Sequence, residues 1–128
     1  MAAATVTQVA GAPGPNGSHY RKYSATSAAN QTDTATTTAV AKTKLQKLCY
    51  VAVKYSAAPT QAGVTVTLDS GEGAAFDILL YTGSANAQNN MYVPDRDIVL
   101  MQGDAILVSM TAAGGVITAT TTVVLEEF

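Results

Sequence analysis

The sequence predicts an all-β protein: an antiparallel β-sandwich or jelly roll of about 7–8 strands with an extended N-terminal arm. Three observations in the 128 residues lead to this prediction. Apolar and polar residues alternate with a period of two from Leu45 onward. Turn-forming residues recur about every 8–12 positions in the same region. No segment of it shows the helical spacing of apolar residues.

Residues 1–44 differ in composition from the rest and are predicted to form the arm. Residues 11–17 hold two prolines and three glycines, which interrupt helices and strands and favour an extended, polyproline-like conformation. Residues 23–40 are mostly Ser, Thr, Ala and Asn, which bury too little apolar area to offset the entropy of ordering. Residues 34–40 could still pair as an edge strand. We therefore expect a mobile arm that becomes ordered on a partner.

Residues 45–128 are predicted to form the β-sandwich domain, which should fold without the arm. Its clearest strand covers residues 64–69, where Val64, Val66 and Leu68 alternate with polar side chains. Burying each such side chain contributes roughly 1.5–3 kcal/mol, so a core of this size is marginal and oligomerisation would add stability. The predicted core consists of Cys49, Val51, Val53, Val64, Val66, Leu68, Phe76, Ile78, Leu80, Ile98, Leu100, Ile106, Val108, Ile117 and Val123.

The charge content argues against nucleic-acid and membrane partners. Only 12% of the residues are charged, against roughly 25% in typical globular proteins. The net charge is -2, and no basic cluster interleaves with stacking aromatics, so a nucleic-acid partner is not expected. No run approaches the roughly 18 apolar residues of a membrane span. Residues 1–10 hold no Lys or Arg, so we expect no signal peptide.

The residues that carry chemistry are scarce, and we expect no enzyme, no cofactor and no metal. Cys49 is the one cysteine and His19 the one histidine, which excludes a disulfide and a Cys/His zinc site. Cys49 falls in an apolar strand and is interpreted as a small buried hydrophobe. His19 lies in the Gly/Pro segment and is interpreted as a solvated loop residue.

The loop acids leave two alternatives open, calcium binding and glycosidase-type catalysis. Neither is favoured, because the acids match no EF-hand and a sugar-binding cleft is hard to build without Trp. We interpret them as solvated turn residues. They are Asp69, Glu72, Asp77, Asp95, Asp97 and Asp104.

The candidate partner-binding site is the tetrad Tyr20, Arg21, Lys22 and Tyr23. These are the large side chains of an arm otherwise built from small residues. Tyrosine is enriched at protein interfaces because it is large and amphipathic. The tetrad is therefore predicted to anchor the arm on another subunit, and the alternative is an unattached tail.

The chain resembles small virion proteins of tailed phages, particularly head decoration (cement) proteins. The resemblance lies in the low-charge Ala/Thr/Gly composition, the arm through Tyr23, and the β domain from about Lys47 to Phe128. Two stretches are similar in style to phage structural modules, VKYSAAPTQAGVTVTLDSG and YVPDRDIVLMQGDAILVSM. The resemblance implies a β-sandwich that sits at capsomer junctions, often as a trimer, and ties neighbouring capsid subunits together.

Three functions follow as hypotheses. The first is a non-enzymatic protein that decorates or cements a phage capsid. It would bind the major capsid protein and copies of itself as a homo-oligomer, possibly a trimer, on the virion surface after synthesis in the host cytoplasm. The alternative is a neck or tail fibre or adhesion module that binds a host receptor or glycan. The third is a small hydrolase that uses Asp77 or Asp95.

Overall fold

The computed structural model describes residues 2–61 and 63–128; Met1, where the predicted arm begins, and Ala62 lie outside the described residues. Two β-sheets share one core in these ranges, which confirms the predicted all-β sandwich. Its strands are β1 (Ala2–Ala3), β2 (Thr7–Pro13), β3 (His19–Thr26), β4 (Asp33–Thr36), β5 (Gln46–Tyr55), β6 (Val64–Asp69), β7 (Ile78–Thr82), β8 (Asn89–Tyr92), β9 (Val99–Leu100), β10 (Ala105–Met110) and β11 (Ala119–Glu127).

Helical structure in the described residues is limited to two single 3-10 turns, Pro15–Gly17 and Ala74–Phe76. In that part of the chain, no helix has both the length and the apolar composition that a membrane crossing requires. The molecule is therefore built from strands and the turns that join them.

The two sheets are formed mostly by strands distant in sequence. The first sheet has the order β1-β4-β10-β6-β7, and the second has the order β2-β3-β11-β5-β8, with β9 also pairing with β5. Every pair is antiparallel except β1 with β4. Among the strands that the structure describes, only β2–β3 and β6–β7 are hairpins, and most other connections cross between the sheets. The two sheets are therefore linked covalently at several points, where the chain passes from one sheet to the other.

Residues 2–44 lie within the sandwich, which differs from the expected arm. The Gly/Pro segment is the turn of the β2–β3 hairpin, where the Gly14 N–H donates to the Ser18 carbonyl at 2.8 Å. Asn16 and Gly17 supply the left-handed backbone that this turn needs, with φ of 55° and 79°. β3 lies between β2 and β11, and β4 lies between β1 and β10. Residues 1–44 and 45–128 therefore contribute to the same two sheets.

Polar residues of β3, β4 and their flanks are buried because their hydroxyls pair with the backbone. The Ala119 N–H donates to the Ser27 hydroxyl at 2.9 Å, and the Ile106 N–H donates to the Thr37 hydroxyl at 3.0 Å. Both hydroxyl side chains are buried. Satisfied polar groups carry little desolvation penalty, and the strand pairing offsets the entropy of ordering. The partner that orders this segment is the rest of the same chain.

The predicted core is largely correct, with informative exceptions. Eight of its members are fully buried, and four more pack half-buried against the cluster. The fully buried ones are Val51, Val53, Val64, Val66, Leu100, Ile106, Val108 and Val123. The half-buried ones are Leu68, Leu80, Ile98 and Ile117. The sheet register therefore follows the alternation across most of the domain.

Cys49, Phe76 and Ile78 were wrongly assigned to the core. Tyr50 pairs with Val124 but Leu48 pairs with Leu125, so Cys49 is the extra residue of a β-bulge and only half-buried. Leu48 takes the core position instead. Phe76 lies in a 3-10 turn and is 63% exposed, and Ile78 begins the edge strand β7 and is 53% exposed.

Candidate functional site

The predicted tetrad is divided between two environments because β3 is a strand. Successive side chains of a strand point to opposite faces. Tyr20 and Lys22 lie on the outer face of the second sheet, beside Ala10, Ala12 and Val124. Arg21 and Tyr23 lie on the inner side, where Tyr23 is only 6% exposed and belongs to the core. The four side chains therefore do not form one contact surface.

Arg21 is held in a polar cluster at one end of the sandwich. Its Nε and Nη2 both donate to Oε1 of Glu127, at 3.0 and 2.9 Å. Gln46 Nε2 donates to the other oxygen of the same carboxylate at 2.8 Å. Burial raises the pKa of Glu127, but the hydrogen bonds from Gln46 and Arg21 outweigh it and the pKa lies below its ordinary value. The cluster keeps Glu127 ionised and fixes β3, β5 and β11 at this end.

A cleft of about 380 Å³ opens beside this cluster. Thr38, Lys44 and Gln46 line it together with Arg21, Tyr23 and Glu127. The buried Gln46 Oε1 receives no donor from the protein. Among the described residues that line the cleft there is one carboxylate and neither histidine nor cysteine. The cleft can therefore both accept and donate hydrogen bonds.

The chemistry-bearing residues singled out in the sequence do not meet at one site. Burial raises the pKa of the Cys49 thiol, which makes it a weak nucleophile. His19 is exposed at the start of β3. No group of three His, Cys, Asp or Glu side chains in the described part of the chain is placed to hold a metal ion.

Two of the six loop acids stabilise turns, and a third forms an ion pair. Asp77 accepts from the Ser70 N–H at 2.8 Å, and Asp104 accepts from the N–H groups of Gly71 and Met101 at 2.9 and 3.0 Å. Asp97 pairs with Lys47 at 3.3 Å and not with the adjacent Arg96. These contacts give the acids a local structural role.

The outer faces of the two sheets differ in chemistry. All strand lysines belong to the second sheet, where Lys22 and Lys54 are exposed. The strands of the first sheet contain no Lys or Arg. Their outer face instead carries a row of hydroxyl residues in register across four strands: Thr34, Ser109, Thr65 and Thr82. The molecule thus offers one face with exposed lysines and one hydroxyl-rich face that has no Lys or Arg and carries Asp69 beside Thr67.

The most distinctive surface is a band of exposed apolar side chains along one lateral side. Seven of the eleven large hydrophobics that are exposed in the described residues lie between positions 76 and 101. We call this set the apolar side; it consists of Phe76, Ile78, Leu79, Met91, Val93, Val99 and Met101. β7 is the edge of the first sheet, and β8 and β9 form the corresponding edge of the second.

The two edges of the apolar side are joined by an aromatic pair. The rings of Tyr81 on β7 and Tyr92 on β8 stack with their centroids 5.2 Å apart. Each exposed side chain of the set is between 49% and 63% accessible. The seven side chains of the apolar side are therefore distributed over the edge strands β7, β8 and β9 and the loops beside them.

Sequence reasoning missed this surface, although a signal was present. Residues 91–93 and 98–101 are apolar on both faces of their strands, whereas a half-buried strand shows polar residues on one face. Such a run in an edge strand leaves one apolar face uncovered. Of these runs the predicted core includes Ile98 and Leu100 alone, and the exposed Met91, Val93, Val99 and Met101 have no predicted role.

The comparisons with known proteins leave the chain unassigned. A scan of protein-family models gives no match, and a search of curated proteins finds no significant relative. The function of the chain is therefore inferred from the surfaces and sites described above.

Proposed function

We propose that this chain is a non-enzymatic structural protein of a tailed-phage virion, which decorates or cements the capsid by bridging neighbouring capsid subunits. The observation that supports the proposal is the apolar side. Its partners would be the major capsid protein and other copies of itself, at the surface of the virion, after synthesis in the host cytoplasm.

The size of the apolar side favours a permanent protein contact. With large apolar side chains offering roughly 150–200 Å² each, the exposed fractions of the seven side chains leave on the order of 700 Å² of apolar area in water. A surface of this size is costly to leave in water, so it is expected to be covered in the working assembly.

The remaining surfaces suit a bridging role. The lysine-bearing face of the second sheet and the hydroxyl-rich face of the first could each meet a different neighbour. Repetition over a capsid lattice multiplies the effect of contacts that are individually weak. The divided environments of Arg21 and Lys22 argue for contact through fixed sheet surfaces in place of a flexible anchor.

The copy number in purified particles tests this proposal. Quantitative mass spectrometry of the source phage would measure this chain against the major capsid protein. We expect a number comparable to that of the capsid subunit. A number of about a dozen or fewer per particle would contradict the decoration role and favour the neck or tail alternative. Complete absence from the particle would contradict both.

A further inference from the structure

We propose that residues 2–13 form a strap that opens as a unit while the rest of the sandwich stays folded, and that its opening uncovers an apolar slot between β3 and β4. The strap consists of β1, β2 and the residues that join them. It closes the lateral side opposite to the apolar side, where β1 is the edge of the first sheet and β2 is the edge of the second. This inference goes beyond the proposed function and does not depend on it.

The side chains of the strap make few contacts with the core. Of residues 3–13, none is buried, Ala4 and Val6 are half-buried, and the other nine are exposed. Ala4 and Val6 pack against the core cluster, whereas the next strand, β3, places Tyr23 and Ala25 inside it. A segment with few buried apolar contacts opens at a lower free energy than the core does. The strap is therefore held less firmly than β3.

The backbone of the strap is also weakly held. Among the described strands, β1 pairs with β4 alone, over two residues, and β2 pairs with β3 alone. The Ala4 N–H donates to the Thr34 carbonyl at 2.7 Å, and the ladder between β2 and β3 is interrupted between Gln8 and Ala10. Hydrogen bonds at an exposed edge contribute little net stability, because water competes for the same groups.

Val6 covers a space between the sheets that is not completely filled. It lines a cavity of about 10 Å³ together with buried residues of three strands, among them Tyr23 and Ala25 of β3 and Ala35 of β4. Atoms that face an unfilled space lose part of their dispersion attraction, so Val6 is held less tightly than a close-packed valine would be. We define the slot as Tyr23, Ala25 and Ala35, which lose the cover of Val6 when the strap opens.

The turn after the strap sets the limit of the opening. Ser18 is buried, and its hydroxyl donates to Oε2 of Glu126 on β11 at 2.6 Å. This bond ties the turn to a central strand of the second sheet. β3, which follows, is paired with β11 over residues 19–26. The opening is therefore expected to end at Gly14.

Hydrogen exchange of the purified full-length chain, resolved by mass spectrometry, tests the opening of the strap. We expect residues 2–13 to be protected at least about 30-fold less than residues 120–126 of β11, and more than an unstructured peptide. Residues 19–26 should keep the protection of a core strand.

Substitutions of Val6 test whether its packing closes the strap. Val6→Ala removes apolar contact and should speed the exchange of residues 2–13 about threefold, and Val6→Ile adds a methyl group at the cavity and should slow it. Val9→Ala is the matched control, because Val9 lies in the same strap but is 54% exposed. It should change the exchange less than Val6→Ala does.

Thiol labelling tests whether the slot is uncovered. In a Cys49→Ala background, the Ala35→Cys protein should react with iodoacetamide as the strap opens, and adding Val6→Ala should speed the reaction. Ala119→Cys is the matched control: the two alanines are 4% and 1% exposed, but Ala119 does not line the cavity beside Val6. Its labelling should require the whole sandwich to open and should be much slower.

Several results would overturn the inference. They are equal protection of residues 2–13 and 120–126, exchange of residues 2–13 at the rate of an unstructured peptide, loss of protection in residues 19–26 together with the strap, and equal labelling of the Ala35→Cys and Ala119→Cys proteins. If Ala35→Cys does not fold, Ala25→Cys tests the slot from β3 with the same expectation.

Discussion

At the scale of single residues, Glu127 determines how the end of the sandwich responds to acid. Its carboxylate accepts from both Arg21 and Gln46, and its pKa is lowered in the folded state. A lowered folded pKa means that the carboxylate contributes stability above its unfolded pKa of about 4.3. This contribution is lost as the pH falls through the folded pKa. Acid should therefore loosen the contact between β3, β5 and β11.

The Glu127→Gln variant tests this role. It keeps the shape of the side chain but removes the ionised form, so its unfolding free energy should vary less between pH 5 and pH 2 than that of the wild type. Urea denaturation at a series of pH values measures the difference. Glu72→Gln is the control, because Glu72 lies exposed in a loop. If both variants follow the wild-type pH profile, Glu127 does not stabilise the fold through its charge.

Single residues also show where sequence periodicity fails. The alternation placed Val51, Val53, Val64 and Val66 correctly because each strand is regular there. It failed at Cys49 because a bulge adds one residue to a strand and exchanges its two faces beyond that point. The Arg21 to Glu127 contact joins residues 106 positions apart. No local pattern in the sequence indicates such a pair.

At the scale of elements, β3 is the strand whose role departs most from expectation. Composition alone favours disorder in this region, since Ala, Ser and Thr bury little apolar area. The strand is nevertheless ordered between β2 and β11, with Tyr23 and Ala25 in the core. The signal that was available is the alternation of Tyr23, Ala25 and Ser27, which is weak because two of these side chains are small.

Tyr23→Ala distinguishes a core strand from a mobile anchor. The ring of Tyr23 is buried, so its removal leaves a cavity and should lower the unfolding free energy by about 3–5 kcal/mol. Tyr20→Ala is the matched control from the same tetrad, on the half-buried outer face, and should cost clearly less. Urea denaturation of both proteins measures the difference. Equal, small effects would mean that β3 does not belong to the core.

At the scale of the whole molecule, the fold class was predictable and the strand order was not. Period-two alternation and regular turns predict strands, but they do not say which strands pair. β10 pairs with β4 and β11 pairs with β3, contacts that join residues about 70 to 110 positions apart. The same long-range pairing joins residues 1–44 to residues 45–128, so the chain forms one sandwich with fixed surfaces.

The surfaces of the whole molecule support a contact role that no single motif indicates. The apolar side exists only because the edges of both sheets meet on one lateral side, at the Tyr81–Tyr92 stack. The tetrad was predicted from composition, and it is divided because Tyr23 finds its partner within its own chain. We propose that this protein joins its assembly through fixed sheet edges, with residues 2–44 already folded.

Hydrogen exchange measured by mass spectrometry tests this claim most directly, with the protein free in solution and again on purified particles. We predict that residues 19–26 are protected in both states and that residues 76–101 gain protection on the particle. Residues 120–126 of β11, which pair with β3, provide the internal reference for a core strand. Rapid exchange of residues 19–26 in solution that slows on the particle, with residues 76–101 unchanged, would contradict the account and restore the mobile arm.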